Sequence, residues 1–403
     1  MVKGLNGVYD IGIIGAGIVG LATAYQISRK RPDLKIVILE KEAEVAAHQS
    51  GHNSGVIHSG IYYTPGGSKA LNCLRGYAML LEFCAKYDIP HEVCGKVIVA
   101  CDQKEMPQLE QIKARGIANG LQGLKMLRAE EVNEKEPHVS CMAGIWVPQA
   151  GIVDYKSVAK KYQHLIQQHG ATMLFNTQLT GMDIHNGVQL LTNQGDLSVK
   201  LAINCAGLYS DKIARLSMPE LDIRILPFRG EYYQLKTEKQ YLVNNLIYPT
   251  PNPNFPFLGV HFTRMMKGGI EAGPNAVLAF KREGYSRWDI NFKELSETLV
   301  FPGFRRIAAK YWRDGWEEMK RSYSKKAFVS TLQRLIPAVQ EADLVAAGAG
   351  VRAMACDPKG NLIDDFLFLE KPGVINVCNA PSPAATSSLS IGETIAEKAI
   401  KRF

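Results

Sequence analysis

Residues 8–41 read VYDIGIIGAGIVGLATAYQISRKRPDLKIVILEK, and the fold turns on how this stretch divides. Val8 to Ile14 is a short apolar, β-branched run. Gly15-Ala16-Gly17-Ile18-Val19-Gly20 follows, then a helix-forming LATAYQISRK, a turn at Pro32-Asp33, and a second apolar run from Lys35 to Leu39 that ends in Glu40 and Lys41. Strand, glycine turn, helix, strand and terminal acid in this order bind a dinucleotide. Gly15 admits the tight turn, Gly17 lets a pyrophosphate approach the backbone, and Gly20 lets the helix pack on the sheet. Ile18 and Val19 open the helix, whose N-terminal amides face the phosphate charge. Glu40, twenty residues after Gly20, is placed to accept hydrogen bonds from ribose hydroxyls, and an acid there argues against a 2′-phosphate. Ile11 to Ser28 carries no charge over 18 residues, near the length of a membrane span, but four glycines, Thr23, Gln26 and Ser28 interrupt it.

The glycine motif leaves NAD and FAD open, and the residues after Lys41 favour FAD. A nicotinamide dehydrogenase continues with alternating strands and helices. Here the chain enters SGHNSGVIHSGIYYTPG, residues 50–66, rich in serine, glycine and histidine. Ser50, Asn53, Ser54 and Gly55 are expected to offer amides and short side chains to the pyrophosphate and a flat floor to an isoalloxazine ring. His58 to Tyr63 would then face the substrate side.

Farther along, Gly151-Ile152-Val153-Asp154 leads into an amphipathic helix over about Tyr155 to His169, a short strand at Thr172 to Phe175 and a meander to Asp196. Leu201 to Ala206 is an apolar strand ending at Gly207, and YSDKIA opens another helix. Residues 373–400 give a strand, a Pro/Ser/Ala turn and a long helix beginning near Ala385 to Ser387. Its N-terminus would stabilise negative charge on the pyrimidine edge of a reduced flavin. HEVCGKVIVA, IRILPFRGEYYQL, FPFLGVHFTR and IEAGPNAVLAF alternate like antiparallel strands. The expected fold is α/β: an FAD-binding Rossmann-like domain of the two-dinucleotide-binding-motif kind with a second, α+β substrate domain built on an antiparallel sheet. The FAD-binding part is discontinuous, over 1–85, 150–218 and 335–403, with substrate-binding segments at 86–149 and 219–334.

At 403 residues the chain fits two or three units of roughly 100 to 200 residues each. Hydrophobic residues at 46% and charged residues at 21% describe a globular chain and exclude a disordered one. Eight scattered cysteines without a CxxC pair favour free thiols in a reducing compartment over a disulfide framework or a zinc site, and no metal is expected. MVKGLNGVYD has neither a secretory nor a transit pattern. Residues 281–330 hold twelve basic against seven acidic residues, five of the eight net positive charges, with Trp288, Trp312 and Trp316. A solvated basic face is one reading; an anionic bilayer surface is the other. No recognised module accompanies the charge, so nucleic-acid binding is not expected.

HQSGHNSGVIHSGIYYTPG, CGKVIVA, GIVDY, INCAGLYSD, PFRGEYY, PFLGVHFTR, GPNAVLAFKREGY, GVRA, LIDDFLF and NAPSPAATSS occur in order from about Asp10 to the end. Together they resemble the L-2-hydroxyglutarate dehydrogenase/oxidase family of the D-amino-acid-oxidase-like FAD superfamily. The resemblance implies FAD-dependent oxidation of the dicarboxylate L-2-hydroxyglutarate to 2-oxoglutarate, with electrons passed to a membrane quinone or another acceptor. It implies a cytoplasmic protein peripheral on the inner membrane if the source is bacterial, and a mitochondrial one if the chain is a processed eukaryotic protein. A flavin amine oxidase of the same superfamily, a nicotinamide-linked dehydrogenase and a non-catalytic flavin-binding partner are the rival readings.

Oxidising a 2-hydroxy acid requires hydride loss from C2 to flavin N5 and proton loss from the hydroxyl, so a base and an anion clamp must share the flavin face. His58 and His261 are the candidate bases, and the sequence leaves the choice open. The resemblance places Arg352, in GVRA, on the substrate α-carboxylate, where a bidentate guanidinium suits better than lysine. For the distal carboxylate the candidates are Arg264, Arg229, Tyr63 and Tyr248, while Lys281 and Arg282 are read as facing solvent. Asn379, Pro381, Ala384, Ala385 and Thr386 are expected to line the pyrimidine end of the flavin. Ala206 and Gly207 are assigned to the dinucleotide, and the backbone of Leu179 to the adenine edge.

Overall fold

The computed structural model describes residues 8–253 and 256–403. Residues 1–7 of MVKGLNGVYD, on which the leader reading mostly rests, and Phe255 at the head of FPFLGVHFTR lie outside them.

β1 (Val8–Ile14) runs parallel to β2 (Ile36–Leu39) on one side and to the strand Leu197–Asn204 on the other. α1 (Ile18–Lys30) connects the first two, and Thr172–Leu174 extends the sheet beyond β2. Val374–Asn379 pairs in parallel with the end of Leu197–Asn204, so the far C-terminal segment returns to complete the eight-stranded sheet. The two-residue period is visible in β2. Ile36 and Ile38 join the core under the helices, whereas Val37 and Leu39 join the core on the opposite face with Leu179 and Leu190. α1 lies against the helix Ser388–Ile400, and a Cβ at Gly392 would sit 2.8 Å from the Ala22 carbonyl oxygen. The near-membrane-length apolar run is thus a buried strand and a buried helix. Among the described residues no helix is long and apolar enough to cross a membrane.

A nine-stranded sheet forms the second layer. Its order is Val277–Leu278, Arg224–Leu235, Ile270–Gly273, His261–Arg264, Leu246–Pro249, Lys96–Ala100, Ala143–Val147 and Lys125–Arg128. The pairs are antiparallel except Leu246–Pro249 with Lys96–Ala100, which is parallel. Leu344–Cys356 pairs along the whole of Arg224–Leu235 and so belongs to this sheet by its hydrogen bonds, although the sequence division placed it with the FAD-binding segments. Leu332, Leu335, Ile336 and Val339 pack in the same core. A small sheet of Val56–Ile57, Gly151–Val153 and His91–Glu92 ties the two layers together.

Arg282, read from the sequence as solvent-facing, is buried. Its guanidinium holds both oxygens of Asp211 on the helix Ser210–Ser217, at 2.5 and 2.9 Å, which bolts the loop after the second sheet to the first layer.

Candidate active site

A cavity of about 730 Å³ runs between the two layers. Its first half is made of backbone. Gly15 has φ 104°, and a Cβ there would lie 2.6 Å from the Cys205 carbonyl oxygen, so the turn after β1 admits glycine alone. Gly17, Ile18 and Val19 line the cavity, while Gly20 does not: its Cβ position is 2.1 Å from the Gly15 oxygen, and its role is close packing of α1. Glu40 is buried on the cavity wall. One carboxylate oxygen accepts the Ala16 amide at 2.7 Å and the other the Glu42 amide at 3.0 Å, leaving a lone pair on each for ribose hydroxyls. Leu179, Ala206 and Gly207 line the same end. There Lys41 reaches Glu283 at 2.5 Å, and His48 bridges Glu42 and Glu283 at 2.9 and 3.1 Å. Glu42, His48 and Glu283 bring metal-ligand atoms within 4.8 Å of one another, but Lys41 is already paired with both carboxylates.

The Ser50–Gly55 segment splits by task. Ser50 Oγ accepts the Ile18 amide at 2.9 Å, fixing the loop to the start of α1. Asn53 donates to the Gln49 and Ser50 carbonyls and accepts the Gly55 amide at 2.9 Å, which holds the loop in shape. Ser50, Asn53 and Ser54 line the cavity; Gly55 is off its wall, at φ 67° against the Val153 carbonyl. His52 stacks on Tyr285 at 4.3 Å. At the other end, Asn379, Pro381, Ala384 and Ala385 line the cavity. Thr386 stands behind them: its hydroxyl is 2.8 Å from Tyr155 Oη and accepts the His58 amide at 3.1 Å.

The second half of the cavity is made of side chains from the nine-stranded sheet. Arg352, on Leu344–Cys356, faces the cavity, and among the described residues its guanidinium has no carboxylate partner or hydrogen bond; it rests 5.6 Å from the Phe257 ring centroid. His261 and Tyr248 face each other across adjacent strands and stack at 3.9 Å. His261 Nδ1 lies 2.9 Å from the Gly259 oxygen. A carbonyl only accepts, so Nδ1 carries the proton and Nε2 keeps a lone pair. His58 lines the cavity with no hydrogen bond from its ring to a described residue. Burial, with neighbouring positive charge, pushes both histidines down to about 3, so both are neutral at physiological pH.

Two sequence candidates for the distal carboxylate fall away. Arg229 is buried, bound to Glu231 at 3.1 Å and to the Ser286 carbonyl, off the cavity wall. Arg264 is committed to Glu92. Both point away because their strands present alternate residues to opposite faces, and these two fall on the face with acidic partners. Tyr63 lies behind the wall near Lys69, which pairs with Asp364 at 2.6 Å at the cavity rim. Tyr232, Lys69 and Asp364 line the cavity without having been singled out in the sequence.

The chain's residues 10–398 match the family model described as DAO, FAD dependent oxidoreductase. The chain belongs to the FAD-dependent oxidoreductase family. It is 55% identical over 397 residues to L-2-hydroxyglutarate dehydrogenase of Indibacter alkaliphilus, covering 98% of this chain and 100% of that one. It is 45% identical over 392 residues to the Escherichia coli K12 protein of the same name, covering 97% and 93%. The human mitochondrial protein of that name is 43% identical over 413 residues, covering 98% and 89%. Among solved structures, FAD-bound, dithionite-reduced L-alpha-glycerophosphate oxidase from Mycoplasma pneumoniae superposes with a TM-score of 0.80 at 24% identity, covering 98% and 95%, and shares the fold. The glycine turn, the amide-bearing loop and the small-residue floor fit FAD along the length of the cavity.

Proposed function

We propose that the protein oxidises L-2-hydroxyglutarate to 2-oxoglutarate. The observation that carries this reading is Arg352, a cation without a carboxylate partner among the described residues, set in one cavity wall with two neutral histidines. Bound FAD supplies a two-electron acceptor for the hydride leaving C2. Arg352 holds the α-carboxylate through a bidentate pair and so fixes C2. His261 Nε2, whose lone pair is set by the Nδ1–Gly259 hydrogen bond, takes the hydroxyl proton. His58 hydrogen-bonds the same oxygen, and Tyr248 holds the His261 ring in its plane. We assign the FAD-binding residues as above and divide the chain as the sequence suggests, with 344–356 moved to the substrate side. The relatives' names support the substrate. The test is anaerobic bleaching of the bound flavin by a panel of 2-hydroxy acids of both hands. Reduction by L-2-hydroxyglutarate above the others is the expected result; reduction by glycine or glycerol 3-phosphate instead would overturn it.

The reading extends to a quinone as electron acceptor and to peripheral membrane binding, in the cytoplasm of a bacterium or in a mitochondrion. The peripheral-binding part is supported by the helices Phe292–Val300, Pro302–Lys310 and Trp312–Tyr323 with the loop before them, where Trp288, Phe292 and Trp316 are 78%, 81% and 69% exposed among basic residues. Co-sedimentation with anionic liposomes at moderate salt is the expected outcome, and recovery in the supernatant at low salt would end this part.

A further inference from the structure

A dicarboxylate brings two negative charges into the cavity, and Arg352 answers one. Lys96 is a second buried cation with no hydrogen-bond or ion-pair partner among the described residues. It begins the strand Lys96–Ala100, in which every residue is buried, and is itself 1% exposed. Its Nζ makes no hydrogen bond or ion pair with a described residue, and lies 4.7 Å from the Tyr62 ring centroid and 4.6 Å from that of Tyr248. No carboxylate bears on it; the ionisable groups near it are His58, His261 and the thiol of Cys73. An ammonium buried without a counter-ion is costly, and two tyrosine faces offset only part of that cost.

Two further donors on the segment after His58 share this condition. Ser59 Oγ and Tyr62 Oη are buried with no hydrogen-bond partner among the described residues. The segment is not loose: Asn119 Nδ2 donates to the Gly60 and Tyr63 carbonyls at 3.0 and 2.9 Å, pinning it on both sides of Tyr62. Tyr248, which touches Lys96, is also the cavity wall that stacks on His261. The unsatisfied donors therefore collect behind His58 and Tyr248, and what they lack is an anionic acceptor.

We propose that Lys96, with Tyr62, forms the subsite for the substrate carboxylate distal to the reacting carbon, and so selects dicarboxylate over monocarboxylate 2-hydroxy acids. The flexible four-carbon stem lets Nζ pivot from the tyrosine faces to an anion at the cavity wall. The inference rests on the reading that a 2-hydroxy acid is oxidised here.

The experiment compares L-2-hydroxyglutarate with L-2-hydroxypentanoate, in which a methyl group replaces the distal carboxylate, in anaerobic flavin reduction by wild type, K96Q and Y62F holoenzymes. In K96Q the dissociation constant for the dicarboxylate is expected to rise by about 10- to 100-fold, the value of a charge-assisted hydrogen bond, with the limiting reduction rate within about threefold. The monocarboxylate should be unaffected, so the preference collapses. Y62F should lose several-fold of the preference, and it decides the matter if K96Q does not retain FAD. Equal losses on both substrates, or an unchanged preference in a variant that retains FAD, would overturn the subsite. If wild type is not reduced by L-2-hydroxyglutarate at all, the substrate reading fails first; if wild type prefers the dicarboxylate and the variants keep that preference, the subsite alone fails.

Discussion

The two halves of the cavity are built on different principles. The nucleotide half centres on local backbone, a glycine turn, the first turn of α1 and a loop pinned by Ser50 and Asn53, which Leu179, Ala206, Gly207 and the turn before the last helix join from farther along the chain. The substrate half has no local motif. Tyr248, His261 and Arg352 come from three strands of one sheet, Lys96 behind Tyr248 comes from a fourth, and His58 follows Val56–Ile57 of another sheet, so they meet only through the tertiary fold. A steric error in the first half removes the cofactor. In the second half a single side chain can be exchanged while the scaffold stands, so effects there should fall on rate or affinity and leave FAD in place.

The largest effect expected is from Gly15→Val, which forces a side chain against the Cys205 carbonyl at a positive φ; the purified variant should be colourless, read from its 450 nm absorbance per protein. If it kept stoichiometric FAD, the claim that backbone shape alone holds this half would break. Next is His261→Ala, for which the flavin reduction rate should fall by about 10²- to 10⁴-fold with FAD retained, the range for losing a general base. Arg352→Met should lower kcat/KM by about 10²- to 10³-fold, as expected for loss of a bidentate charged pair. Its loss should fall on 2-hydroxy acids of either length, unlike that of K96Q.

The pH dependence sharpens the comparison further. Burial lowers the Lys96 ammonium from its ordinary range to about 7. Below that pH it is charged in the empty site; above it, binding a second carboxylate has to bring a proton. The groups packed about it are His58, Tyr62, Cys73, Tyr248 and His261. The histidines titrate near 3, burial pushes Cys73 up to about 12, and it raises the tyrosines, so none changes charge near pH 7. KM for L-2-hydroxyglutarate should therefore rise by up to about tenfold per unit between pH 7.5 and 9, the slope of a single proton, while KM for the monocarboxylate stays flat. The smallest effect belongs to Arg264→Gln. Its partly exposed pair with Glu92 lies off the cavity, so kcat/KM should stay within about twofold, as for a surface salt bridge.

How much could be read in advance follows the same division. Gly15, Gly17 and Glu40 fall in one strand-turn-helix-strand unit whose order and spacing place them, although β1 also pairs with the distant strand Leu197–Asn204. Asn379, Pro381, Ala384 and Ala385 follow from a strand ending at a helix N-terminus. Thr386 and Gly55, in the same runs, stand off the cavity wall: the Thr386 hydroxyl is taken up by Tyr155 and the His58 amide, and the Gly55 backbone lies against the Val153 carbonyl. Arg229 and Arg264 show the limit more sharply. Each sits in a strand that supplies a cavity residue nearby, yet whether an arginine faces substrate or an acid on the other face is a matter of sheet register and neighbours. Lys96 offered a faint signal, a lysine heading an otherwise apolar strand, but nothing in CGKVIVA tells which rings lie above it.

Sequence by itself determined the nucleotide half, the two-layer α/β plan and the families of chemistry open to it. These depend on short-range backbone geometry and on the period of apolar residues, both written along the chain. Tertiary structure alone decided which cations stay free. That outcome depends on pairings between residues as distant as Glu92 and Arg264 or Asp211 and Arg282, which neutralise some charges and leave Arg352 and Lys96, among the described residues, without a carboxylate partner beside the two histidines.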